Sequence, residues 1–159
     1  MGNTKEKKMK DLTTTSKDHP LSPQELQKIF RAEFGYLAYP GRQQFIDARF
    51  FLEGTKIGYA RLQINELSDR VEWARFYPLY SVDNLDEYER RGIGTLAHTT
   101  TICKVARWAP SHFEVYHDPL YTSKKRKNHL QSMGLELEMP LPLYVERSRQ
   151  KARMKGFSF

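Results

Sequence analysis

The stretch "DEYERRGIGTLAHTTTICKVARW", Asp86–Trp108, decides how the rest of the chain is read. An acidic turn leads to Arg90 and Arg91, then to Gly92 and Gly94 one residue apart, then to a segment with helical spacing. From Gly94 to Trp108, Leu96, Thr99, Thr100, Cys103, Ala106 and Arg107 recur at roughly a helical period, and Pro110 stops the run. A plain helix start needs one Ser, Thr, Asp or Asn cap. Glycines at that place let backbone N–H groups come close to an anion without Cβ interference, and the helix dipole adds partial positive charge. The run lacks the Gly-Lys-Ser/Thr of a phosphate-binding Walker loop, and no βαβ unit surrounds it as a dinucleotide fingerprint requires.

Upstream, "SPQELQKIFRAEF" (22–34) reads as a helix. Ser22 is its cap, Pro23 its first residue and Glu25 the partner in a capping box, with Leu26, Ile29, Phe30 and Phe34 as the apolar stripe. "GYLAYPGR" breaks it. Ile46, Ala48, Phe50 and Leu52 alternate, Glu53 to Lys56 turn the chain, and Ala60, Leu62 and Ile64 alternate again, as in a β-hairpin. A long aromatic strand follows over 70–82, with Pro78 ending or bulging its pairing. Downstream, 112–117 reads as a short strand, 123–134 as a helix closed by Gly134, and 135–149 as one or two final strands. The domain reading is a disordered basic tail over 1–20, one folded unit over 21–148 and a basic tail over 149–159.

Composition narrows the class. With 39% hydrophobic and 13% aromatic residues, 159 residues suffice for one soluble domain with a core. A single cysteine, Cys103, excludes an intrachain disulfide and reads as a core residue. "MGNTKEKKMK" has no apolar core of a secretory signal, and no apolar run approaches the ~18 residues of a membrane span, so a cytoplasmic protein is expected. The net charge of +7 lies in the two ends and in "KKRKNH" (124–129), around a mildly acidic body. Such patches suit nucleic acid or a phosphorylated cofactor.

"DEYERRGIGTLAHTTTICKVAR" resembles motif A of the GCN5-related N-acetyltransferase (GNAT) family, in which a glycine-rich run binds the pyrophosphate of acetyl-CoA. Gly92 and Gly94 match its glycines and Tyr88 its frequent tyrosine. The resemblance implies an α+β (α/β) fold, with a GNAT-like mixed, mostly antiparallel central sheet and flanking helices. It implies an acyltransferase moving an acetyl or other acyl group from acyl-CoA to an amine. The cofactor-binding set it implies is Glu89, Arg90, Arg91, Gly92, Ile93, Gly94 and Thr95, with acetyl-CoA as co-substrate. Glu89 stands where the family carries Gln or Arg, and Leu130 stands where it often carries a tyrosine that serves as general acid. Catalytic candidates are then Glu72, near the start of the long strand, as base, and His129 as acid or base. His117-Asp118 is a third option, while His98 is expected to pack or face solvent. No spaced histidine pair makes a metal site.

The acceptor stays open among small molecules, proteins and aminoacyl-tRNA, and a homodimer is allowed. Two alternatives stand beside the enzyme: a catalytically silent CoA-binding regulator, and a nucleic-acid binder working through "KKRK" and "RSRQKARMK", without an RNP signature. A Gly92→Glu change is expected to abolish cofactor binding and leave the fold intact.

Overall fold

The computed structural model describes residues 21–39, 43–80, 83 and 85–159, so the 1–20 tail lies outside the described residues. The described elements are α1 (Pro23–Ile29), β1 (Phe30–Tyr39), β2 (Gln43–Leu52), β3 (Thr55–Asn65), β4 (Arg70–Tyr77), α2 (Leu85–Arg90), α3 (Ile93–Val105), β5 (Glu114–Tyr116), α4 (Lys124–Ser132), β6 (Glu138–Pro140) and α5 (Leu141–Met154). They form a mixed α+β fold around one six-stranded sheet in the order β1-β2-β3-β4-β5-β6. Neighbours are antiparallel except β4 and β5, which are parallel.

The first helix is shorter than its apolar stripe suggests. The Ser22–Glu25 capping box forms, with Glu25 N–H donating to Ser22 Oγ at 3.1 Å and Ser22 N–H to Glu25 Oε1 at 3.4 Å. At Phe30 the backbone turns extended (φ −83°, ψ 135°), and β1 pairs with β2 from Phe30↔Leu52 to Tyr39↔Gln43. Phe30 and Phe34 are four apart, a spacing that shares a face on a helix and on a strand alike. Ladder pairing with β2 decides for the strand, and both rings pack on the core.

The hairpin and the third strand follow the alternation. Ile46, Ala48, Phe50, Ala60, Leu62 and Val71 are all fully buried and build the inner face. Phe50 sits at its centre with ring centroids 5.9 Å from Phe30 and 6.1 Å from Phe76. A register shift between Arg61 and Leu62 leaves Ala74 of β4 without a partner, so the strand bulges there before Pro78 ends it. β5 pairs with β4 only through Arg70↔Glu114, Val71↔Val115 and Glu72↔Tyr116. Past Glu72 the two parallel strands part, and β4 runs on alone along that edge.

The C-terminal third departs most from expectation. Only Glu138–Pro140 of 135–149 is strand, and Leu141–Met154 is a helix with proline in its first turn. Its buried face is Leu141, Tyr144, Val145, Ser148 and Ala152, a helical period in which the last two steps are a serine and an alanine. The helix therefore crosses the expected boundary at 148/149. The last residues are fixed as well: Ser158 exchanges two hydrogen bonds with the Gln27 side chain at 2.8 and 2.9 Å, and Phe157 is buried. Cys103 is half-buried at the edge of the core. No helix among the described residues is long and apolar enough to cross a membrane.

Candidate functional site

The glycine turn lies between two helices. α2 ends at Arg90, and Gly92 caps α3 in the left-handed conformation (φ +84°) with no side-chain cap. The first helical turn, Ile93 to Thr95, thus begins with N–H groups that no side chain of its cap satisfies. A Cβ on Gly92 would lie 3.0 Å from Lys155 Cδ and 3.3 Å from Phe157 Cε2. The dihedral demands glycine, and the wall is tight for any side chain. The expectation that Gly92→Glu leaves the fold intact is therefore corrected: even Gly92→Ala should cost about 1–3 kcal/mol, read as a lower urea midpoint. Gly94 differs, because its added Cβ would meet only the His129 ring, at an ordinary 3.5 Å from Cε1 and 3.7 Å from Nε2.

The turn opens into a cavity of about 470 Å³. One wall is the end of β4, Phe76 to Leu79. The second is Glu89, Gly92, Gly94 and Thr95. The third is the start of α4, with Ser123, Lys125, Arg126 and His129, and Lys155 closes the rim. Glu89 does not confront the cavity as a bare acid: Lys125 Nζ donates to both its carboxylate oxygens, at 3.0 and 3.1 Å. Of the seven expected cofactor-binding residues, Glu89, Gly92, Gly94 and Thr95 line this space. Arg90 is exposed, Arg91 lies 3.8 Å from Glu87, and Ile93 is wholly within the core.

The two catalytic candidates are not brought together. Val71 and Trp73 face the core, so Glu72 between them points to the opposite side of the sheet, in register with Gln63 and Tyr116. His129 lines the cavity. Its Nδ1 is 3.3 Å from Arg126 Nη1 and its Nε2 is 3.3 Å from Thr95 Oγ1. A guanidinium only donates, so Nδ1 accepts and the ring proton sits on Nε2. Burial, then Arg126, Lys155 and Lys151, pull its pKa down from 6.5 to about 4. His129 is a neutral imidazole at neutral pH.

Beneath the cavity floor runs a chain of buried polar groups. Arg126 Nη2 donates to His98 Nδ1 at 2.7 Å, His98 Nε2 is 2.8 Å from Tyr144 Oη, and Tyr144 Oη is 2.7 Å from His117 Nε2. The guanidinium fixes the whole sequence of donors. His98 accepts at Nδ1, so it carries its proton on Nε2 and gives it to the tyrosine oxygen. Tyr144 then donates to His117, whose proton is on Nδ1. Trp73 stacks on both imidazoles, at 4.6 Å from His98 and 5.7 Å from His117. Burial and the Arg126 charge hold both histidines well below 6.5, hence neutral, and burial pushes the Tyr144 phenol up.

Arg126 joins the two layers. It lies 4.0 Å over the Phe76 ring, a cation–π contact, and makes no ion pair among the described residues. Burial lowers its pKa only to about 10, so it stays a cation. Lys155, lowered by burial and by Lys151, adds a second positive group at the rim. Arg126 is half-buried, with imidazole and aromatic partners but no acid among the described residues, so its charge is left for an anion to neutralise. The cavity therefore suits an anionic ligand.

Sequence reasoning missed Arg126, Lys155 and the polar roles of Tyr144 and His98. "KKRKNH" reads as a solvated basic run, yet its third residue faces inward while Lys124 and Lys127 are exposed. Lys155 belongs to what reads as a tail. The usable signal was the helical period through Tyr144, Ser148 and Ala152. No family model matches this chain, and neither a curated protein nor a solved structure matches it.

Proposed function

We propose that the chain is an acyl-CoA-dependent N-acyltransferase with a GNAT-like arrangement of its sheet. The observation that carries this reading is the uncapped, glycine-led start of α3, opening on a cavity that also holds Arg126 and Lys155. The strand order supports it: β4 bulges at Ala74 and loses its parallel neighbour after Glu72, which leaves backbone groups along one edge beside the cavity.

The residues fit such a ligand. The first-turn N–H groups, Arg126 and Lys155 would hold its phosphates, while Lys125 offsets Glu89. Phe76, Tyr77, Pro78 and Leu79 offer an apolar wall for its arm, and about 470 Å³ is within the range of small-molecule sites. When bound, acetyl-CoA supplies an activated acyl thioester. The chain's own part is to exclude water, orient that group and manage the proton of an incoming amine. His129 is the candidate on the cavity side for proton exchange; Glu72 would act only on a ligand reaching the other face.

One observation favours a second reading, a CoA-binding regulator without turnover. Both His129 nitrogens are engaged, and Leu130, at the family's tyrosine position, is buried in the core. Steady-state thiol release from acetyl-CoA with a panel of amines separates the two. For binding itself, the test is titration calorimetry on Gly94→Glu. An acid in a first helical turn is favourable, and Gly94 has room, so the fold should hold. Like-charge repulsion should weaken acetyl-CoA binding at least about 100-fold. Unchanged affinity would remove the ligand from this cavity.

A further inference from the structure

The opposite face of the sheet holds a second hollow, of about 530 Å³, lined among others by Arg49, Lys56, Tyr59, Arg61 and Arg75. We propose that this face binds single-stranded nucleic acid. The proposal does not rest on the acyl-CoA reading.

The alternation that buries Ala48, Ala60 and Leu62 turns Asp47, Arg49, Tyr59, Arg61, Arg75 and Tyr77 outward. Cross-strand pairing stacks them in rows: Arg49 beside Tyr59 beside Tyr77, and Asp47 beside Arg61 beside Arg75. The acid in the hollow is already used, since Arg61 takes both Asp47 oxygens, at 2.6 and 2.8 Å. Glu33 is across from Arg49 in register but pairs with Arg31 at 3.0 Å. Arg49, Arg75 and Lys56 make no ion pair among the described residues. The other outward acids of the late strands, Glu72, Glu114 and Glu138, sit towards the far end around Arg70. A compact block of positive charge is left at the centre.

Aromatic rings line the same block. Tyr59 lies 5.5 Å from Tyr77 and 5.7 Å from Tyr80, and both outer tyrosines are about half exposed. Lys56 stands over Tyr80 and Arg61 over Phe45. Cations alternating with exposed rings on a β-sheet suit a phosphate backbone whose bases are free to stack. A duplex hides its base faces from such rings. Tyr77 also lines the cavity by the glycine turn, so the two sites adjoin at the end of β4.

The test is fluorescence anisotropy with fluorescein-labelled dT12 and U12, a 12-bp duplex and UMP as competitor, at two salt concentrations. Arg49→Glu/Arg75→Glu, Tyr80→Ala and Lys124→Glu/Lys127→Glu are compared with the wild-type chain, each checked by circular dichroism. All these side chains are exposed, so folding should be retained. The expected result is single-strand binding that weakens at least about tenfold in the arginine variant, with a flatter salt dependence by about 1.4 in log–log slope. Tyr80→Ala should cost about fivefold or more. The lysine variant should bind within about twofold of wild type. No wild-type binding, loss that follows Lys124 and Lys127, equal affinity for duplex, or competition by UMP as strong as by the oligomer would each overturn the proposal.

Discussion

Taking the protein from pH 7.5 to pH 5 should destabilise the fold, by about 2 kcal/mol through His129 alone. His98, His117 and His129 are each held neutral by burial and by the Arg126 charge. The unfolded chain binds those protons at the ordinary pKa near 6.5, while the folded chain refuses them until far lower, about pH 4 for His129. A histidine with a depressed folded pKa contributes stability that is complete above 6.5 and is lost as pH falls towards the folded value. At pH 5 the solution is about 1.5 units below the unfolded pKa of His129, which is about 2 kcal/mol; His98 and His117 act in the same direction. Domain stabilities are about 5–15 kcal/mol, so the loss is a substantial part of the whole. Urea unfolding at the two pH values measures it. A change below about 1 kcal/mol would mean that these imidazoles are not held neutral and unprotonated inside.

Tyr144→Phe should cost about 4 kcal/mol. The ring is fully buried and Phe keeps its packing, so the loss falls on the hydroxyl. Without it, the His98 Nε2–H donor and the His117 Nε2 acceptor are both stranded, and each stranded buried group costs about 1–3 kcal/mol. Equilibrium denaturation gives the magnitude. Nitrogen-15 spectra of the imidazoles give a check that packing alone would not move: wild-type His98 should carry its proton on Nε2 and His117 on Nδ1. A variant within about 1 kcal/mol of wild type, or the opposite tautomers, would contradict the chain of donors that starts at Arg126.

The parts of the fold legible in the sequence were those set by local pattern. The capping box at Ser22, the alternation through β2 and β3 and the glycine-led start of α3 are short-range signals. What failed was pattern that serves two periods, or that passes through small residues. Phe30 and Phe34 suit helix and strand, and only pairing with β2 chooses. α5 hid its buried face behind Ser148 and Ala152, in a stretch that read as strand. The site divides in the same way. The glycine turn is one continuous stretch. The polar chain below it joins residues 98, 117, 126 and 144, which meet only because α3, β5, α4 and α5 pack around β4. Nothing in "KKRKNH" marks its third residue as the one that turns inward.

The reading of the cavity stands or falls on one measurement: thermal unfolding with acetyl-CoA, CoA or ATP, on wild type and on Gly94→Glu. A ligand bound only by the native state adds about 2.7 kcal/mol at a hundredfold excess over its dissociation constant. The predicted result is a clear upward shift with acetyl-CoA and with CoA, none with ATP, and no shift for the variant at an unchanged or higher starting midpoint. An unshifted wild type with both CoA species would make the glycine turn an ordinary helix start and contradict the account.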